Sequence, residues 1–145
     1  MKGKLRPTKL DCAYAAGFFD GEGCVCAARL YGGKGIGLIV TVSQNTISSL
    51  EWLKDRWGGN ILEAKHIPRS VFRWQCPQPR IEDFLVGMLP YLKVKGEQAR
   101  LGIKFRSLID TTRCGRSLPP DNQKLREEIM EKMKGLNRGI RYAAS

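Results

Sequence analysis

Ile36, Leu38, Val40 and Val42 alternate with Gly37, Ile39, Thr41 and Ser43. Successive strand residues point to opposite faces, so this spacing predicts a strand in a sheet covered on one side only. Cys24 to Tyr31 precedes it, separated by Gly32-Gly33-Lys34-Gly35, a flexible hairpin turn. A second hairpin is predicted from Ile61 to Lys65 and Val71 to Cys76, turning around Pro68. In it Phe72, Trp74 and Cys76 alternate with Val71, Arg73 and Gln75.

Helical spacing fills the remainder. Leu10 to Phe19 opens on Thr8 and Asp11, a capping pair, and Gly21-Glu22-Gly23 is expected to stop it. Ile47, Leu50, Leu53 and Trp57 share one helix face, and Gly58-Gly59-Asn60 ends that helix. Helices follow over Ile81 to Leu89, Lys95 to Ile109 and Asp121 to Leu136, with a loop from Thr111 to Pro120. This order predicts an α+β protein, with one mostly antiparallel sheet and helices on one face.

The chain has 145 residues, which fits a single domain over 1–145 with basic tails at about 1–7 and 137–145. A hydrophobic content of 42% is enough for a core. The formal charge of +11 points to a polyanionic partner, nucleic acid being the commonest, although many basic proteins simply carry such a surface. Cys12, Cys24, Cys26, Cys76 and Cys114 form no CxxC pair, and His66 is the only histidine. A Cys/His metal site or a histidine-based nuclease centre is therefore hard to assemble, and the cysteines read as free thiols in a reducing compartment. No stretch suits a membrane span or a secretion signal. An organelle or a microbial cytoplasm is the expected location.

The segment Ala15-Ala16-Gly17-Phe18-Phe19-Asp20-Gly21-Glu22-Gly23 carries the chemistry. Ala13, Ala16, Gly17 and Gly21 offer a nearly side-chain-free helix face that lets two helices approach closely. Asp20 and Glu22 stand at the helix C-terminus, where the macrodipole disfavours anions by a few tenths to about 1 kcal/mol each. A cation offsets that cost, and carboxylate plus carbonyl oxygens suit Mg²⁺. A small-residue core helix ending in a solvated acidic turn accounts for the same residues.

This nonamer resembles the LAGLIDADG motif of homing endonucleases. Val42-Ser43-Gln44-Asn45-Thr46 looks like that family's strand-end segment. Leu89-Pro90-Tyr91-Leu92-Lys93-Val94-Lys95, with Gln98-Ala99, is similar to the segment that opens its later helix. The likeness covers roughly residues 10 to 110. It implies the αββαββα core of the LAGLIDADG fold, with a saddle-shaped sheet, and a site-specific double-strand DNA endonuclease hydrolysing phosphodiesters with divalent metal ions. By the same resemblance Glu22 is the metal-binding acid and Gly21 supplies a backbone carbonyl to the metal. Gln44 and Lys95 organise water and charge at the scissile phosphate, and Asp20 is structural, at the helix end. The implied cofactor is Mg²⁺, with Mn²⁺ as a substitute and Ca²⁺ as a non-catalytic occupant.

One motif implies a homodimer joined through Ala13, Ala16, Gly17 and Asp20, acting on double-stranded DNA at a long, near-palindromic site. Neither a membrane nor a small-molecule substrate is implied. The sheet face away from the helices is expected to carry Glu63, Lys65, Arg73 and Gln75, with Arg69 in the turn, types that can read base edges. On the first hairpin that face holds Cys24, Cys26, Ala28 and Leu30, then Gly37, Ile39, Thr41 and Ser43. Two readings stay open there: contacts to thymine methyls and water, or a bulge that exposes Arg29 and Tyr31. Ala15 replaces the motif's usual leucine, Glu22 stands where Asp is commoner, and Ser48 stands where a basic residue often assists the site. A non-cleaving intron maturase or DNA-binding regulator on the same fold is the alternative function, and an unrelated basic RNA-binding protein ranks last.

Overall fold

The computed structural model describes residues 5–29, 35–65, 70–110 and 120–143, with side chains left undescribed at 109–110, 120–121 and 139–143. The element order is α1 (Lys9–Glu22), β1 (Gly23–Arg29), β2 (Ile36–Gln44), α2 (Ile47–Trp57), β3 (Asn60–Lys65), β4 (Ser70–Gln75), α3 (Ile81–Met88), α4 (Gly96–Asp110) and α5 (Pro120–Ala143). Short 3-10 turns at Gln78–Arg80 and Leu89–Tyr91 flank α3. All strand pairings are antiparallel, in the order β1-β2-β4-β3. The α+β architecture expected from the sequence is present.

Local chemistry sets the element ends. At α1 the Thr8 side chain accepts from the Asp11 N–H at 3.1 Å while Asp11 accepts from the Thr8 N–H at 2.9 Å. The backbone bond from Thr8, with Arg56 adding to it, holds the Asp11 carboxyl below its ordinary range against an opposing desolvation. Arg56 of α2 pairs with Asp11 at 3.0 Å and lies over the Trp52 ring, tying α2 to the start of α1. After α2, Gly58 and Gly59 adopt φ of 80° and 93°. At Gly59 any side chain would meet the Gln75 carbonyl at 2.2 Å, so only glycine fits there.

The core lies between the sheet and the helices. Ile36, Leu38, Val40 and Val42 are buried, as their alternation predicted. Phe84 of α3 is the hub. Its ring meets those of Trp57 at 4.9 Å, Trp74 at 5.1 Å and Phe19 at 5.7 Å, all edge-on. The Trp74 indole donates to the Gly58 carbonyl at 2.8 Å, which satisfies its polar atom inside the core.

Several boundaries differ from the sequence reading. α1 passes through Gly21 and Glu22 and is capped only at Gly23, where a Cβ would overlap the buried Phe19 ring. A pair of glycines costs a helix about 1 kcal/mol each and does not forbid it when the rest of the helix is packed. Residues 137–143, expected to be a frayed tail, continue α5. Asn137 anchors that segment by donating to the Val25 carbonyl at 3.1 Å. Pro68, Gly32 to Lys34 and Thr111 to Leu118 lie outside the described residues.

Truncating the aromatic hub tests this packing. Phe84→Ala is expected to lower the unfolding free energy by about 3–5 kcal/mol. The measurement is equilibrium urea unfolding followed by tryptophan fluorescence.

Candidate functional site

The end of α1 meets the start of α4. Asp20 accepts three backbone N–H bonds, from Lys93 at 2.8 Å, Val94 at 3.1 Å and Lys95 at 3.0 Å. Both carboxylate oxygens are engaged within the chain. Asp20, expected at the helix end and in a dimer interface, makes an intrachain clamp through these charge-assisted bonds.

The clamp positions Lys95. Its ammonium donates to the Phe19 carbonyl at 3.2 Å and to the Gly23 carbonyl, over the last turn of α1. Carbonyls without helical partners concentrate negative potential at a helix C-terminus, so a lysine there is stabilised. Burial lowers the Lys95 pKa, while neighbouring Cys24, Asp20 and Glu22 pull it back up. An ammonium has three donors, and the third has no partner among the described residues.

The cost of two acids at a helix C-terminus is thus offset from within. Asp20 is held by backbone donors and Lys95 supplies positive charge. Glu22 is different: it is exposed, and no hydrogen bond or ion pair engages its carboxylate among the described residues. Gln44 pairs with Phe72, two residues beyond the partner of Gly23, so the end of β2 lies at the Glu22 end of the sheet. Its Oε1 accepts from the Asn45 N–H at 2.7 Å, leaving the amide NH₂ available. The structure thus brings Gly21, Glu22, Gln44 and Lys95 to one end of the molecule.

No group of three or more His, Cys, Asp or Glu side chains suited to a metal exists among the described residues. The donors that one chain offers here are one carboxylate and the Gly21 carbonyl. That set fits a hard divalent cation that keeps most of its waters, and leaves room for further ligands.

On α1, Leu10 is 83% exposed and Tyr14 59% exposed, and Gly17 and Gly21 have nothing within 4 Å of a built Cβ. These positions recur at four, three and four residues and form one bare stripe. Ala13 is partly exposed beside it. Ala16, expected on this face, is fully buried in the chain's own core. Leu10 and Tyr14 belong to the stripe, and their helical spacing from Gly17 and Gly21 was the signal that could have found them. Ser48 lines an open groove of about 540 Å³ with Leu10, Asp11, Tyr14, Ser49 and Trp52, against the first half of α1.

Register decides which residues share the uncovered sheet face. Residues directly opposite in an antiparallel pair point the same way. Arg73 pairs with Ser43 and Leu62, and Gln75 with Thr41 and Asn60, all on the face away from the helices. The Arg73 Nε donates to the Ser43 hydroxyl at 3.4 Å. Glu63 pairs with Phe72 and Lys65 with Ser70, which puts both on the opposite face, with Trp74. The alternation expected for β3 is one residue out of phase with this pairing, and a one-residue slip changes face. Asn60 and Leu62 take the expected places. Arg29 pairs with Ile36 on the helix side and lies 3.9 Å from Glu127 of α5. β1 and β2 pair without a bulge from Gly23 to Arg29, so the bulge alternative is not realised. Arg69 lies outside the described residues.

The Asp20 clamp makes a prediction of its own. Asp20→Asn is expected to cost about 1 kcal/mol, since charge-assisted bonds become neutral ones and one carboxylate acceptor is lost. Native-state hydrogen exchange should show the amides of Val94 and Lys95 opening faster in the variant.

No protein-family model matches the sequence, and no curated protein matches it. Solved structures do. The homing endonuclease I-CvuI, in complex with the I-CreI target, is similar with a TM-score of 0.71 and 23% identity, over 88% of this chain and 82% of that one. The archaeal intron-encoded homing endonuclease I-Vdi141I, complexed with DNA, also gives 0.71, at 18% identity, over 88% of this chain and 84% of that one. The LAGLIDADG homing endonuclease I-GzeII, in complex with its DNA target, gives 0.66 at 21% identity, and this chain spans 45% of its length. The order α1, hairpin, α2, hairpin, helices, with the motif at the end of α1, is therefore that of the LAGLIDADG homing-endonuclease fold.

Proposed function

We propose that this chain is a LAGLIDADG homing endonuclease that cuts both strands of a long, near-palindromic DNA site as a homodimer. The observation that carries the reading is the end of α1. Glu22 has no hydrogen bond or ion pair among the described residues, beside a lysine positioned by the Asp20 clamp. The DNA-bound neighbours, the motif and the charge of +11 support the same reading.

In this reading Glu22 and the Gly21 carbonyl would hold a divalent cation, Mg²⁺ by the hardness of the donors. When bound, such an ion stabilises attacking and leaving oxygens at a phosphate. Lys95 presents its remaining N–H to the scissile phosphate, where negative charge builds up. Gln44, with its amide NH₂ available, orients the attacking water. Arg73 and Gln75 face the major groove and read bases through their side-chain donors and acceptors. The Leu10–Tyr14–Gly17–Gly21 stripe packs against its copy, bringing two Glu22 residues near the two-fold axis, one for each strand.

Two experiments test this. Purified protein is incubated with a randomised palindromic duplex library in Mg²⁺, beside Glu22→Gln and a chelator. Site-specific double-strand cuts are expected, abolished in both controls, with Lys95→Met slower by roughly 100-fold or more. Specific binding without cutting by the parent protein would instead leave a maturase or regulator on this fold. For the dimer, Leu10→Glu places a charge on the proposed interface and should shift sedimentation from dimer to monomer, while circular dichroism stays unchanged.

A further inference from the structure

The uncovered sheet face is divided by its register. Nearest the Glu22 end lie polar rows: Ser43 with Arg73, then Cys24 with Thr41 and Gln75. Further along β1 and β2 the rows become apolar, Cys26 opposite Ile39 and Ala28 opposite Gly37. These rows offer no strong hydrogen-bond donor or acceptor beyond the paired backbone. Over the described strands this face carries one charge, Arg73, and no acid. On a chain of +11 an acid-free face suits a polyanion.

Resting on the endonuclease reading, we infer that Ile39, with Cys26 beside it, reads thymine methyl groups in the major groove. Apolar side chains distinguish bases there through the C5-methyl of thymine, which no other base of unmodified DNA presents. Ala28 and Gly37 are too small to obstruct the approach. Rows two residues apart are about 6.8 Å apart along the strand, close to two base-pair steps of about 3.4 Å. The half-site therefore divides in two. Close to the cut, hydrogen-bonding rows read mixed sequence, and further out the apolar rows select thymine.

The test starts from the duplex that the parent protein selects out of a randomised library in Ca²⁺. Thymines beyond the central positions are replaced by uracil, which keeps base pairing and removes only the methyl. Binding is expected to weaken about 4-fold for each methyl lost from this strip, the equivalent of one buried carbon. Ile39→Thr keeps a β-branched residue on the strand but replaces its ethyl arm by a hydroxyl, and should narrow the difference between thymine and uracil duplexes. Selection without thymine enrichment, or equal binding of both duplexes by the parent, would overturn the inference while leaving the endonuclease reading intact. A changed oligomeric state in Ile39→Thr, with the uracil response unaltered, would mean that a second copy covers the strip, and would overturn it too. Failure to bind any duplex specifically would overturn the DNA reading itself.

Discussion

The carboxylate of Asp20 joins two parts of the chain separated by more than seventy residues. It does so with three backbone donors, so the side chains of Lys93, Val94 and Lys95 remain free for other work. One of them, Lys95, turns back onto the carbonyls at the end of α1. Helix end, clamp and lysine form a closed cycle in which each charge is met by an opposite dipole. Glu22 stands next to this cycle and outside it. In the proposed endonuclease this carboxylate, without a hydrogen bond or ion pair among the described residues, is the one left for the metal ion.

The sheet supplies the second constraint. Its helix side is sealed by an aromatic cluster around Phe84, and buried alternation holds the register of β2 against slipping. α5 lies along the β1 edge, where Asn137 takes the Val25 carbonyl and Met130 and Met133 are buried. An edge covered in this way is not open to pairing with another chain. The other face of the sheet stays uncovered over the described residues, and its composition runs from polar near Glu22 to apolar away from it.

Burial separates two kinds of small residue on α1. Ala15 and Ala16 are small because the sheet and the other helices press on them, and both are almost wholly buried. Gly17 and Gly21 have open space beside them, so packing within this chain does not require glycine there. In the proposed dimer that openness has a use, since the two glycines let this half of the helix approach its copy closely.

The sequence by itself determined the element order, the one-sided sheet and the motif, because alternation, helical spacing and capping residues are local signals that each segment carries alone. Thr8 with Asp11, and Ile36 to Val42, were legible for that reason. Tertiary structure alone decided where Asp20 sends its oxygens, that Ala16 is core, and that Glu63 and Lys65 share the Trp74 face. The edge strand β3 shows why. With little buried on either side, it has no hydrophobic alternation to declare its phase, and only pairing with β4 fixes which way its side chains point. Asp20 is the same lesson at longer range. Its partners are backbone N–H groups, which have no residue identity to read, and only the folded chain brings them within reach.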